Sequence, residues 1–384
     1  MRLELNESEY KVSLYGITIE LFPKEFMLFQ FLYHNRGRTF SREQLLDRVW
    51  PLEYPVERTV DDHIYRLRKK LGEFKGLDIK TVRGFGYSLV MQETASIMSP
   101  PTIYDPEMQE TMREIFKKYH LYGQGRSMLT LARQQDVLGY AMDPFYTVFI
   151  YFVQGDLDWL LNTNEVMVEE RFYLLLLFYI FLGDPKNKLG FIEQVLEKKI
   201  LSPPQHKEME ILNILDLYTL SGQPEKAVER LKLTHQVIEE PGYENFIPVT
   251  AITEMFVHLW MGVEDREIER MSKAIEVILK DKPFLREIGG YKVVKGLWLL
   301  RRSDLREAEL LLDEGLEVLE MSGFVPMRIY ALYRIVHYCK HEFPVKTALH
   351  QKYIDLFERE KEERGLYRLE PSLEAALKKA LAGL

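Results

Sequence analysis

The sequence predicts a mainly α chain, with a small α+β module at the N-terminus followed by a long all-α array of helical repeats. Three observations predict it. Alternating apolar runs of strand type are confined to residues 2–21 and 79–90, while helical periodicity fills the rest. The stretch 93–106 has no apolar period and carries Ser99-Pro100-Pro101, which marks a boundary. Beyond it, short breaks recur at nearly constant intervals. The 384 residues suit two or three domains at ~150 residues each, and 46% apolar residues can fill a core in each, which excludes a disordered tail or a collagen-like chain. Cys339 is the single cysteine and has no partner for an internal disulfide, and no cleavable leader pattern opens the chain. The longest apolar run, residues 172–182, is 11 residues against the roughly 20 of a membrane-spanning helix. A cytoplasmic protein is expected.

Each element follows from local chemistry. "RLEL" (2–5), "YKVSL" (10–14) and "ITIEL" (17–21) read as short antiparallel strands separated by turn residues. Pro23 takes the first position of a helix whose Phe26, Phe29, Phe31, Leu32 and Tyr33 form an apolar face up to a stop at Gly37. Ser41 and Gln44 form a capping box for a second helix, with Leu45, Leu46 and Val49 inward and Pro51 as its end. Thr59 caps a third helix carrying Val60, Ile64, Leu67 and Leu71 at 4-3-4 spacing, stopped by Gly72. Residues 79–90 then place two alternating runs around Arg83-Gly84-Phe85-Gly86, a hairpin with a glycine turn. A hairpin after a helix-turn-helix is a wing. The domains expected are therefore 1–93, a linker at 94–106, and a repeat domain at 107–384.

In that last region "QGD" (154–156), "LGDP" (182–185), "SGQP" (221–224), "MGVED" (261–265) and "RRSD" (301–304) each separate an apolar helix from an amphipathic one. Aligning the second helices puts Leu189, Ala227, Ile268, Ala308 and Ala348 in register at intervals of 38, 41, 40 and 40. Two helices per unit of about 40 residues make a helical solenoid.

The formal charge of −8 is unevenly spread. Residues 1–93 hold 15 Lys and Arg against 14 Asp and Glu, which leaves 36 against 45 for the remainder. Between Arg66 and Arg83 lie seven bases and two acids. From composition alone such a run of bases reads equally as a solvated helix face or as a surface for a phosphate backbone.

The segments "LFPKEF" (21–26), "SREQLLDRVW" (41–50), "RTVDDHIYRLRKKLG" (58–72) and "IKTVRGFGYSL" (79–89) closely resemble the OmpR-type winged-helix DNA-binding domain, in the same order and spacing. With Val60, Ile64, Leu67 and Leu71 buried, the helix turns Arg58, Asp62, Tyr65, Arg66 and Lys69 outward, as a helix in a ~12 Å major groove requires. The resemblance implies groove-facing positions for Arg58, Asp62, Tyr65 and Arg66, a DNA-contacting position for Arg68, and a wing in which Thr81 and Arg83 touch backbone and minor groove. It also implies a polymerase-contacting loop at residues 51–57, for which a passive connector is the competing reading. Two positions depart from the pattern. Asp62 is acidic, able to accept from cytosine N4 or to repel phosphate. Phe22 stands where a threonine cap is usual, removing a cap worth ~1 kcal/mol. The receiver domain that precedes this module in two-component regulators is absent from the sequence, so aspartate phosphorylation of this chain is not implied.

Other residues carry weaker signals. His63 lies near the core seam and reads as structural, as does Trp50. His337, Cys339 and His341 read H-x-C-x-H, but on a helix Cys339 points away from the two histidines, so no metal is expected. No G-x-x-x-x-G-K-S/T loop occurs, and Gly84-Phe85-Gly86 lacks the third glycine of a dinucleotide fingerprint, so no cofactor is expected. Nothing marks an enzyme. Segments 214–231 and 296–319 resemble tetratricopeptide-type repeats, and aromatics such as Tyr151, Phe152, Trp159, Phe178, Tyr179, Trp260 and Trp298 read chiefly as core. A winged helix joined to helical repeats without a receiver resembles SARP-type activators in architecture. The expected function is a sequence-specific bacterial transcription regulator whose repeats sense a ligand, peptide or protein, or self-associate. A homodimer through Leu349, Tyr353, Leu356 and Phe357 is expected, with burial of that stripe inside the solenoid's own terminus as the competing account. The rival class is a peptide-sensing or response-regulator-binding repeat protein whose winged helix docks protein and not DNA. A repeat-type phosphatase is the remotest, with no catalytic side chain to nominate.

Overall fold

The computed structural model describes the chain except residues 1, 2, 7, 8, 15, 16, 38, 51–55, 75, 83, 84, 92–99, 344–346 and 384. It divides into two compact units, Met1–Ser99 and Pro100–Leu384.

In the first unit β1 (Glu4–Asn6), β2 (Lys11–Leu14) and β3 (Ile17–Glu20) form an antiparallel sheet in the order β1-β2-β3, with Val12 opposite Ile19. Three helices follow: α1 (Pro23–His34), α2 (Arg42–Val49) and α3 (Arg58–Leu71). The hairpin of β4 (Leu77–Val82) and β5 (Gly86–Met91) closes the unit, with Ile79 opposite Leu89. Its core joins Val12, Phe26, Phe29, Leu45, Ile64 and Leu89, all nearly inaccessible. The capping box forms as the sequence implies: Gln44 N donates to Ser41 Oγ at 3.1 Å, and Ser41 N donates to Gln44 Oε1 at 2.9 Å.

Details differ from expectation, each for a physical reason. Leu46 is half-buried rather than inward. Thr59 lies inside α3, because the chain turns helical one residue earlier and Glu57 becomes the capping residue, its own carbonyl accepting from Val60 N. Phe22 has no oxygen with which to cap α1, yet its N–H donates to Glu25 Oε2 at 3.0 Å, so the reciprocal half of a box survives. Glu25 is fully buried, and Lys70 Nζ lies 2.7 Å from its Oε2. The linker expected at 94–106 is structured from residue 100 onward, with a 3-10 turn at Pro101–Tyr104 and Asp105 capping the next helix; residues 94–99 lie outside the described residues.

The second unit is helical. Its helices are α4 (Pro106–Leu121), α5 (Gly125–Arg133), α6 (Gln135–Leu138), α7 (Pro144–Gln154), α8 (Leu157–Asn162), α9 (Val168–Ile180) and α10 (Pro185–Lys198). Then come α11 (Pro203–Glu208), α12 (Ile214–Leu220), α13 (Pro224–Ile238), α14 (Ile247–Trp260), α15 (Asp265–Asp281), α16 (Leu285–Arg301), α17 (Leu305–Ser322), α18 (Val325–Glu342), α19 (Ala348–Glu363) and α20 (Leu366–Gly383). A single π-helical turn, Met209–Asn213, joins α11 to α12. Neighbours pack as pairs: α12 with α13, α14 with α15, α16 with α17 and α18 with α19. The α16–α17 pair approaches closely through Gly315, where an added Cβ would lie 2.8 Å from the Val293 side chain and 2.9 Å from Gly289 O.

The array also meets itself. The last helix, α20, packs on α8 and α9, and α18 packs on α7. Lys188 Nζ donates to Glu370 Oε1 at 3.2 Å, and Arg126 donates to Glu320 O at 3.1 Å. In an open solenoid each repeat touches only its neighbours; here early and late helices share one hydrophobic core. Closure consumes the stripe expected to dimerise, since Tyr353 and Phe357 are buried within the unit and Leu349 and Leu356 are half-buried. It also breaks the repeat register at its end: Leu189, Ala227, Ile268 and Ala308 are buried, whereas Ala348 opens α19 and is exposed. Among the described residues no helix is long and apolar enough to cross a membrane.

Candidate nucleic-acid interface

The face of α3 opposite its core seam is the candidate site. Val60, Ile64, Leu67 and Leu71 are buried, and the 3.6-residue period then leaves Arg58, Asp62, Tyr65, Arg66 and Lys69 exposed, as the sequence implies. Tyr65 is 70% exposed, its ring standing free of the core. The basic last turn of α3, with Arg68, Lys69 and Lys70, complements the negative end of the helix dipole.

A polar network absent from the sequence reading fixes this helix in place. Tyr87 on β5 donates to Asp61 Oδ1 at 2.6 Å, and Arg42 Nε at the start of α2 donates to the same oxygen at 2.7 Å. Burial alone would raise the Asp61 carboxyl, but the Tyr87 and Arg42 hydrogen bonds outweigh it and hold the carboxyl below its ordinary value. Burial, with the bond to Asp61, moves the Tyr87 hydroxyl upward. Three elements thus converge on one carboxylate. The signal for Asp61 was available only as a helical position between the core seam and the exposed face.

Arg68 has protein partners that the sequence did not suggest. Its guanidinium donates to Ile79 O, at 2.8 Å from Nε, and to Thr81 Oγ1 at 2.8 Å, so it ties α3 to the hairpin. Thr81 keeps an exposed position while accepting that bond. At the hairpin's end Phe85 is 73% exposed; Arg83 lies outside the described residues. The hairpin is held against the segment before α2 by reciprocal bonds of 2.9 Å between Phe40 and Tyr87. Gly86 permits this approach, with φ at +149°, and a Cβ there would fall 2.0 Å from Phe40 O. Of the loop 51–57, Val56 and Glu57 are described and exposed, and the rest lies outside the described residues.

His63 is structural, with Nδ1 2.8 Å from Thr59 O and its ring edge-on to a buried Trp50. The H-x-C-x-H residues separate. His341 stacks on Trp260, His337 packs on Tyr333, and Cys339 is buried. Burial lowers His337 to about 4 and raises the Cys339 thiol to about 12. Among the described residues no three His, Cys, Asp or Glu side chains are grouped to hold a metal ion.

Residues 16–89 match the family model described as "Transcriptional regulatory protein, C terminal". The phosphate regulon transcriptional regulatory protein PhoB of Rhizobium meliloti is 48% identical over 89 residues, 23% of this chain and 39% of that protein. The transcriptional regulatory protein VxrB of Vibrio cholerae is 43% identical over 88 residues, 23% of this chain and 35% of its own length. The chain therefore spans well under half the length of these relatives. A crystal structure of the DNA-binding domain of Bacillus subtilis CssR is 36% identical, covers 23% of this chain and all of that one, and has a TM-score of 0.21. The N-terminal unit carries an OmpR-type winged-helix DNA-binding domain.

Proposed function

We propose that the protein is a sequence-specific transcription regulator in which α3 enters the major groove and the helical unit receives a signal. One observation carries this reading: α3 presents Arg58, Asp62, Tyr65, Arg66 and Lys69 together on an exposed face held rigid from behind by the Asp61 network. The relatives' names support regulation as the purpose. In this reading Arg66 and Arg58 meet base edges or phosphates, Lys69 meets phosphate, and Thr81, Arg83 and Phe85 form the wing's contact. Arg68 acts as a positioning residue. The arrangement is SARP-like, with tetratricopeptide-like helix pairs as the effector unit, and no enzymatic step belongs to it. Two copies occupy paired half-sites in the cytoplasm, meeting through a surface other than the α19 stripe, and residues 51–57 face RNA polymerase.

The test is selection of bound fragments from random duplex DNA by the full chain. A recovered consensus, with log K falling against log salt at ~0.9 per phosphate contacted, is the expected result. Absent or salt-independent binding would overturn the reading and favour a winged helix that docks protein.

A further inference from the structure

The helical unit contains a cavity of about 650 Å³, open at its mouth and within the roughly 300–1,000 Å³ of small-molecule sites. Helices α7, α9, α14, α16 and α18 supply most of its lining. Its walls are mainly apolar, with the rings of Phe149, Phe152, Phe181 and Phe324 among them. The π-helical turn after α11 adjoins it, placing Glu208, Leu212 and Asn213 in the wall.

The charged groups in this wall do not all find partners. Arg334 is committed, with Nε 2.5 Å from Asp216 and Tyr330 bonded to the same carboxylate. Lys117 is paired with Glu114 at 2.5 Å. Glu208 sits deep against the Tyr173 hydroxyl; burial holds its carboxyl above the ordinary value despite that bond and the charge of Arg286. His120 is neutral, lowered to about 3 by burial and by Arg286. There remain Arg286 and Glu287 at the start of α16. Their tips stop 3.9 Å apart, beyond hydrogen-bond reach, and Arg286 Nε and Glu287 Oε2 are buried without partners. The guanidinium rests on the Phe324 ring instead, 4.8 Å from its centroid.

A half-made ion pair in an apolar chamber selects its ligand by charge balance. Glu208 is taken up by the Tyr173 hydroxyl, and the groups left without partners are one guanidinium and one carboxylate, so a ligand with only one kind of charge would leave one of them unmatched. A zwitterion brings each a partner. We propose that the cavity binds a small zwitterion of the amino-acid type with an apolar body, its carboxylate on Arg286, its ammonium on Glu287 and its side chain among the aromatic rings. This goes beyond the regulator reading, because it stands on the C-terminal unit alone and its test contains no DNA.

The probe is 4-fluoro-L-phenylalanine, followed by ¹⁹F NMR with the full chain. Its matched analogues are 4-fluorophenethylamine, which lacks the carboxylate, and 3-(4-fluorophenyl)propionate, which lacks the ammonium. The zwitterion is expected to bind saturably and at least ~10-fold tighter than either analogue, the ratio set by one lost charged hydrogen bond. Arg286→Gln and Glu287→Gln each erase that preference. Gly290→Leu removes binding of all three probes: Gly290 lines the cavity, and a Cβ there meets no atom within 4 Å, so the variant fills the chamber without a backbone clash. Circular dichroism and thermal unfolding check that each variant is folded. The proposal is overturned if either singly charged analogue binds as tightly as the zwitterion, if the preference survives Arg286→Gln in folded protein, or if no probe saturates native protein at millimolar concentration.

Discussion

The two units handle charge in opposite ways. In the N-terminal unit the charges of α3 point outward, and the carboxylate of Glu25, fully buried, accepts from the Phe22 N–H and Lys70. In the C-terminal unit charged groups point inward, some paired, as Arg334 with Asp216, and some half-paired, as Arg286 with Glu287. An outward face can change without unfolding the domain beneath it. An inward one cannot, because each buried charge depends on its partner for solvation.

The sharpest way to break this contrast is Asp216→Ala, which strands Arg334 in the interior. It should destabilise the C-terminal unit by about 3–5 kcal/mol in denaturant unfolding while the N-terminal transition stays in place. A loss below about 1 kcal/mol would mean that water entering the cavity solvates Arg334, and the inward charges would then be as dispensable as surface ones. Next in size is Arg66→Ala. It should cost ~1–3 kcal/mol in DNA affinity, relaxing discrimination at one base pair if Arg66 meets a base edge, with unfolding stability within ±0.5 kcal/mol. Unchanged affinity would remove Arg66 from the interface.

Ser41→Ala should destabilise the N-terminal unit by ~1 kcal/mol, since the Gln44 N–H loses its acceptor, and circular dichroism melting of the full chain would register it. The smallest effect concerns Asp61. Its carboxyl is depressed in the folded state, so its contribution is present above the ordinary value of 3.8 and is lost as pH falls through the lower folded value. Asp61→Asn should therefore flatten the acid limb of the N-terminal unit's stability profile below about pH 4, and an unchanged limb would show that the network carries no charge-dependent stability.

What the sequence disclosed depended on the range of the interactions involved. Val60, Ile64, Leu67 and Leu71 were legible because helical periodicity and burial are the same fact, and Ser41 with Gln44 because a capping box spans three residues. Asp61 was passed over because its partners Arg42 and Tyr87 are distant in sequence and neither spacing forms a motif. Arg68 looked like one more base on a basic face; only the hairpin's position shows its guanidinium committed. The repeat register succeeded for four second helices and failed at Ala348, which is the exposed first residue of α19, while His350, Tyr353 and Phe357 of that helix turn inward. Ring closure left no local trace, and neither did the cavity, whose His120, Glu208 and Arg286 come from three distant helices that each read as ordinary.

Closure by α20 also bears on the order in which the molecule comes into being. Among the described residues the core of Met1–Ser99 is built from that unit's own side chains, so the unit is free to fold while the remainder is still being synthesised. The helical unit has no such liberty. Its α8 and α9 surfaces are covered by residues 366–383, about two hundred positions later, so those apolar faces stay uncovered on the ribosome until the last helix emerges. Contacts of that sequence separation make for slow folding and a long exposure to chaperones. A truncated product would thus retain a complete winged helix attached to an unsealed ring.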